Sequence, residues 1–382
     1  MEICGIICEY NPLHLGHKKQ LTHLRREIGP ESGIVCLMSG NFVQRGAPAI
    51  FDKSVRAEAA IKSGADLVLE LPVTYALSSA EGFAGGGVSI LSPFCDFLCF
   101  GAENADKNTL METAKALLSP LFPDALRVYL DEGLSFPVAR QKALAAMGLD
   151  GTLLESPNNI LAVEYCKAIL AQKSKMQPLP IYRAGSYHSI APDNENPSAT
   201  FLRQQLVAGK DWESFVPEEV KDLFASATLH SLDAGERAIL GKLRTMTDSE
   251  FEALPGGSEG LWRKLMHAAR ECTALEKIAT AVKSKRYTRT RIDRMILCGF
   301  LGITEEMLYT TAPYVRVLAL NDRGREILKI ARQYSDFVNA GEARDGAYAA
   351  LETQCGRLYG LFAEDTAEAP DTESTRRIRY IP

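Results

Sequence analysis

Short apolar runs alternate with segments of helical spacing over the first two hundred residues. The apolar runs are EICGIICEY (2–10), GIVCLMSG (33–40), ADLVLELP (65–72), CDFLCFGAE (95–103) and LPIYRAG (179–185). Between them lie GHKKQLTHLRREI, DKSVRAEAAIKSG, SAEGFAGGGVSILS and DKNTLMETAKALL, then helical runs around 121–131, 135–147 and 159–172, and finally PSATFLRQQLVAG. In the first of these segments Leu21 and Leu24 share one side and charges the other. In the second, Asp52 is a plausible N-cap and Gly64 a C-cap. Strands that are apolar throughout and separated by helices predict a parallel sheet covered on both faces. Ligands of such sheets bind beyond the carboxyl ends of the strands, at the point where strand order reverses.

From about residue 211 the strand signal nearly vanishes. PEEVKDLFASA, AGERAILGKLRTM, the long run 259–284, TRTRIDRMILCGFLG and DRGREILKIARQYSDFV all carry helical spacing. The expected organisation is an α/β domain over 1–210 and a mainly helical domain over 211–382, in line with a chain longer than one core usually serves. The stretches GEARDG (341–346) and AEDTAEAPDTEST (363–375) are expected to be mobile surface segments.

Composition narrows the functional classes. Hydrophobic residues make up 46 % and charged residues 24 %, as in an ordinary globular protein. No apolar run approaches the roughly 20 residues that span a bilayer, and the N-terminus lacks the pattern of a secretory signal, so no membrane partner and a cytoplasmic location are expected. An odd number of cysteines, nine, argues for core thiols rather than a disulfide framework or a metal site. The net charge of −5 means that any nucleic-acid site must be a local patch.

The candidate chemistry begins where the first strand ends. In EYNPLHLGHKKQ (9–20), Asn11-Pro12 breaks the strand, Gly16 allows close approach to backbone, and a helix follows. His14 and His17 are three apart, so one turn presents both to the same small volume, beside a helix N-terminus that favours anions. Two imidazole donors there suit a phosphate, and suit its more charged transition state better. Two surface histidines, or a metal pair, are the plain alternatives for such a spacing. A second segment, SATFLRQQL (198–206), places Ser198 and Thr200 at helix cap positions with Arg203 one turn in, which suits the β- and γ-phosphates of a nucleotide.

The strand, the H-x-G-H turn and the late S-x-T-x-x-R helix resemble the nucleotidyltransferase superfamily, which includes the pantetheine-phosphate and nicotinamide-mononucleotide adenylyltransferases and class I aminoacyl-tRNA synthetases. The motifs EYNPLHLGH, MSGNFVQRGAPA, DLVLELP, FGAEN, PNNILAVEY and KRYTRTRIDRM, in this order between residues 9 and 295, resemble one family within it, the bacterial tRNA(Met) cytidine acetate ligases. That resemblance implies a Rossmann-like fold of the HIGH nucleotidyltransferase type. It implies ATP-dependent formation of acetyl-adenylate and pyrophosphate, then transfer of acetyl to the wobble cytidine of elongator tRNA(Met), giving N(4)-acetylcytidine. ATP and acetate would be substrates, with Mg²⁺ accompanying the ATP phosphates.

The same resemblance implies roles for individual residues. His14 and His17 would be the catalytic pair against the phosphates. Ile7, Cys8, Glu9, Tyr10, Asn11, Pro12, Gly16 and Gln20 would line the nucleotide site, with Gly101, Asn158 or Asn159, Arg183, Ser198, Thr200 and Arg203 completing it. Without the resemblance, Gly101 is a strand-end glycine, the asparagines a helix N-cap and Arg183 a surface charge. Arg45, in the loop after the second strand, could meet RNA or a carboxylate, or be an exposed charge on a rigid loop. The run KSKRYTRTRIDR offers Lys283, Lys285, Arg286, Arg289 and Arg291 to RNA phosphates, with Tyr287 among them as a stacking surface. By itself that run reads first as the solvated start of a basic helix, and the resemblance is what turns it toward RNA. The tail TRRIRYIP adds Arg376, Arg377 and Arg379. Two other readings compete: an adenylyltransferase acting on a small phosphorylated metabolite, and a non-catalytic RNA-binding protein on a relict nucleotide fold.

Overall fold

A computed structural model describes residues 1–183, 198–342, 344–365, 373 and 375–382. Ten strands are present among the described residues: β1 (Ile3–Cys8), β2 (Gly33–Ser39), β3 (Phe42–Val43), β4 (Ala47–Pro48), β5 (Leu67–Leu71), β6 (Phe97–Ala102), β7 (Gln177–Tyr182), β8 (Val315–Leu320), β9 (Phe337–Asn339) and β10 (Arg379–Tyr380). The main sheet runs β10-β8-β5-β2-β1-β6-β7, with β9 paired to β8. β1 pairs in parallel with β2 on one side and β6 on the other. Strand order therefore reverses between β1 and β6, and the crevice beyond their carboxyl ends is where this class of sheet binds ligands.

Every residue of β1 and β2 is buried. Ile3 and Ile7 face a core shared with Phe83, Val88, Val163 and Cys166, from helices Ala80–Leu91 and Pro157–Ala171. Cys4, Ile6 and Cys8 face the opposite core, built with Leu21, Leu24, Ala57 and Ala60 of helices Leu15–Glu27 and Lys53–Lys62. Each large aliphatic side chain buried in this way contributes about 1.5–3 kcal/mol. Two-sided burial thus explains why these strands carry no alternation of polar residues. All nine cysteines are free thiols, eight of them buried.

Helices Leu232–Thr245, Leu261–Glu271, Leu275–Val282, Arg289–Leu301 and Ala347–Tyr359 surround a third core that includes Ile239, Leu265, Ile278, Ile292 and Leu297. Several expectations need correction here. The sheet is not confined to the first 210 residues: β8 pairs antiparallel with β5, and β10 and β9 flank it in parallel. The signal hidden in YVRVLAL was the β-branched run after Pro313, broken by Arg316, a charge that the fold buries beside acidic partners. The expected helix through 338 ends at Ala331, which frees Phe337 and Val338 to pair with β8. The long run 259–284 is two helices separated at Cys272–Ala274, where the chain turns extended. Parts of the expected elements at 184–185 and 197, and most of 363–375, lie outside the described residues. Glu373 and Arg376, by contrast, are held inside the protein rather than on its surface. Among the described residues no helix is long and apolar enough to cross a membrane.

Candidate functional site

The turn after β1 is held from several sides. Tyr10 adopts φ 43°, and the Asn11–Pro12 peptide is cis. Asn11 Oδ1 accepts the Ile50 N–H at 2.8 Å, and the Asn11 carbonyl accepts Arg203 Nη1 at 2.7 Å. Arg203 Nη2 also donates to Thr200 Oγ1 at 3.1 Å. The S-x-T-x-x-R helix, Ala199–Val207, is thereby brought against the His turn, nearly two hundred residues away in sequence. Ser198 Oγ accepts the Phe201 N–H, so its hydroxyl caps its own helix. Beneath the turn, the fully buried Arg56 donates to the carbonyls of Glu9, Ser39, Gly40 and Phe51. One guanidinium thus fixes the ends of β1 and β2 together. Its sequence signal was a single charge on the otherwise small, apolar face of SVRAEAAIK.

The two histidines cap their own helix reciprocally. His14 Nδ1 accepts the Gly16 N–H at 3.1 Å, and His17 Nδ1 accepts the His14 N–H at 3.3 Å. A neutral imidazole that accepts at Nδ1 carries its proton on Nε2. The rings stack at 3.7 Å between centroids, and Tyr10 meets His17 edge-on at 4.9 Å. His14 is 3 % exposed, and among the described residues its Nε2 has no hydrogen-bond partner. A buried, unpartnered donor beside a helix N-terminus is a place prepared for an anion. Burial, with the Arg183 charge near by, holds the His14 imidazole down to about 3; burial, His14 and Arg183 hold His17 well below its ordinary value. Both rings are therefore neutral donors near pH 7.

This has a consequence for stability. His14 gains a proton near pH 6.5 when unfolded but only near 3 when folded, so the unfolded chain binds more protons between these values. Stability from this residue is complete above pH 6.5 and is lost as pH falls toward 3. Urea titrations of His14→Asn are expected to show a shallower loss of stability from pH 6.5 to 4 than the unsubstituted protein. Parallel curves would show that His14 does not titrate low.

Arg183, exposed at the end of β7, lies over Gly101 at the end of β6: a Cβ added at Gly101 would stand 3.5 Å from Arg183 Cδ. Ile7 and Cys8 turn their side chains into the two cores, so they offer the crevice only backbone. Gln20 donates to Cys99 Sγ at 3.6 Å, toward the sheet. Asn159 is buried and accepts the Asn104 N–H at 2.8 Å, while Asn158 Nδ2 and the Asn159 N–H both donate to the Glu103 carboxylate at 2.8 Å. The pair therefore locks the loop after β6 to the helix Pro157–Ala171. Glu103, which sequence reasoning passed over, is the acidic cap of that helix, signalled by its place just after an apolar strand.

The segment after β2 is a hairpin of β3 and β4, not a loop. Phe42 enters the helical core against Tyr359 and Phe362, so it joins the two halves. Arg45 is half-buried at the hairpin turn.

The basic run 283–294 is only partly available to a partner. Lys283, Lys285 and Arg286 are exposed, Arg286 in a surface pair with Glu259 at 3.0 Å. Arg289 is held by Glu276 and Asp293, and Arg291 donates to the Gly256 carbonyl and Ser258 Oγ. Tyr287 is buried, with its hydroxyl on the Glu259 carbonyl, which corrects its expected role as a stacking surface. In the tail, Arg376 is committed to Asp52 and Ser54; Arg377 and Arg379 remain exposed. Among the described residues no group of three or more His, Cys, Asp or Glu side chains is placed to hold a metal ion.

Comparison with known proteins bears on the chain as a whole. The HIGH Nucleotidyl Transferase family model matches residues 1–373. A tRNA(Met) cytidine acetate ligase of Clostridium novyi is 40 % identical over 357 residues, covering 88 % of this chain and 89 % of that protein. The one from Clostridium tetani is 37 % identical over 390 residues, covering 95 % and 96 %. Crystal structures of Thermotoga maritima TmcAL superpose over the whole of both chains, with TM-scores of 0.91 for the apo form at 28 % identity and 0.89 for the form bound with alpha-thio ATP at 27 %. The chain belongs to the HIGH nucleotidyl transferase family and, within it, to the tRNA(Met) cytidine acetate ligases.

Proposed function

We propose that this protein activates acetate with ATP and passes the acetyl group to the wobble cytidine of elongator tRNA(Met), giving N(4)-acetylcytidine. The observation that carries the reading is the H-x-G-H turn at the β1/β6 crevice. Its two Nε2–H donors are locked by backbone bonds, with Arg203 tied to the same turn and Arg183 beside it. The relatives of like length that bear the ligase name and the ATP-analogue complex of the Thermotoga protein support it.

In the first step an acetate oxygen forms a bond to the α-phosphorus of ATP, and the bond from that phosphorus to the bridging oxygen breaks. Pyrophosphate leaves with the additional charge. Little bond-making falls to the protein, so orientation and charge stabilisation dominate. Neutral imidazole donors fixed before substrate arrives stabilise the departing phosphates without reorganising. Mg²⁺ would accompany the ATP phosphates; among the described residues no group of three or more His, Cys, Asp or Glu side chains is placed to hold an ion of its own. In the second step the cytidine N4 attacks the acetyl carbon, AMP leaves, and the amine gives up a proton. No cysteine nucleophile is required. Burial pushes Cys8 well above its ordinary value, and Cys99 up to about 12.

RNA binding is assigned to the exposed part of the basic run. Replacing Lys283, Lys285 and Arg286 together by alanine is expected to leave acetate-dependent exchange of pyrophosphate into ATP in place and to weaken acetylation of tRNA. The slope of log affinity against log salt should fall by about 2–3, at roughly 0.7–0.9 per lost phosphate contact. An unchanged slope would remove this loop from the RNA interface. A stable adenylylated metabolite formed without tRNA would instead identify an adenylyltransferase.

A further inference from the structure

In the hairpin β3–β4 a single residue, Gln44, is bonded both to the segment after β1 and to the helix that follows the basic loop. The Gln44 N–H donates to Glu9 Oε1 at 2.7 Å, and Glu9 is the first residue beyond β1. The Gln44 carbonyl accepts Arg294 Nη1 at 3.3 Å, and Arg294 lies in helix Arg289–Leu301, which begins three residues after Arg286. Two residues on, Gly46 sits at φ 77°, where a Cβ would stand 2.5 Å from the backbone nitrogen of Arg294. The hairpin therefore rests directly on that helix, in a contact that only glycine allows.

We propose that Arg294 is a positioning residue for the acetyl-transfer step: through Gln44 it sets the distance between the acyl-adenylate crevice and the RNA-bearing half. The inference rests on the function proposed above. Adenylate formation should not depend on it, because the turn is fixed independently by Arg56 on the Glu9 carbonyl, by Ile50 on Asn11 Oδ1 and by Arg203 on the Asn11 carbonyl. Transfer is different. The attacking N4 must come within about 3–3.5 Å of the acetyl carbon, and a misplacement near 1 Å can cost about 100-fold. The nucleophile arrives on RNA held by the helical half, while the acetyl group is held by the sheet. The contact between these halves at Gln44 and Gly46 is thus in the path that fixes the reacting distance.

The test separates the two half-reactions. Arg294→Ala should keep acetate-dependent pyrophosphate exchange within about twofold, and keep tRNA affinity by filter binding within about threefold. Single-turnover acetyl transfer at saturating tRNA should fall at least tenfold. Arg294→Lys, which can still reach the Gln44 carbonyl with one donor, should recover most of the rate. Gly46→Ala, which pushes the hairpin off the helix without touching any charge, should reproduce the transfer defect. Loss of exchange and transfer together in Arg294→Ala would show a general structural role and overturn the proposal. So would weakened tRNA binding with a normal saturated rate, which would make Arg294 a binding residue. If the unsubstituted protein shows neither exchange nor transfer, the proposed function fails rather than this assignment.

Discussion

Substituting His14 or His17 with alanine is expected to lower acetate-dependent pyrophosphate exchange about 10²–10³-fold, the usual loss when one preorganised donor is removed from a developing negative charge. The expectation follows from how the rings are held. Each Nδ1 is occupied by a backbone N–H of its own helix start, so each Nε2 points its proton where no described residue accepts it from His14. Alanine at position 14 also removes a helix cap, which costs about 1 kcal/mol. His14→Asn separates the two effects. An asparagine oxygen can accept the Gly16 N–H as the imidazole does, so urea stability at pH 7.5 should return close to that of the unsubstituted protein. Its amide does not extend to the Nε2 position, so exchange should stay low. Exchange at the unsubstituted rate in His14→Asn would exclude the imidazole donor from catalysis.

Lys53→Met is expected to destabilise the protein by about 3–5 kcal/mol, the range for breaking a buried ion pair on one side. Lys53 Nζ lies 2.7 Å from Glu70 Oε1 and 2.8 Å from Glu373 Oε1, and all three side chains are at most 10 % exposed. Arg316, bound to Glu352 at 2.8 Å, and Arg376, bound to Asp52, close the cluster around them. Burial alone would raise the Glu373 carboxyl, and Lys53 followed by Arg376 more than offsets it, so it ionises below the usual range. Without Lys53 it would ionise less readily. The deficit should therefore shrink as pH falls through the carboxylate range, because protonation then removes an unpaired charge. Lys53→Met combined with Glu70→Gln should recover part of the loss, since fewer buried charges lack partners. A loss below about 1 kcal/mol by urea denaturation, or one independent of pH, would show that the cluster is compensated from elsewhere.

The turn near the amino terminus that carries the candidate site was legible because its signals are local. Strand, Asn-Pro break, glycine and histidines follow one another within a dozen residues, and the same backbone bonds that shape the turn leave the buried His14 Nε2 without a partner among the described residues. The late S-x-T-x-x-R helix was legible by residue type, and the structure adds what sequence could not give, its bond from Arg203 to the Asn11 carbonyl. What escaped is everything made by long-range pairing. Arg316 disguised a buried strand because its neutralising acids, Glu70 and Glu352, stand far from it in sequence. The basic run looked uniform, yet Arg289 and Arg291 are spent on Glu276, Asp293 and Gly256, and only the fold distinguishes them from Lys283, Lys285 and Arg286. Tyr287 likewise gave no sign in sequence that it would be buried.

The antiparallel pairing of β8 on β5 bears on how the chain is made. Leu67 finds Leu320 across roughly 250 intervening residues. At a ribosomal pace of about 5–20 residues per second, the outer edge of β5 waits roughly 12–50 s for its neighbour. Until then the nascent chain carries an open apolar strand edge able to join another polypeptide. Newly synthesised protein is therefore aggregation-prone from the completion of β5 until β8 has been made, and holding factors acting in that interval should raise the yield of native molecules more than those acting after release.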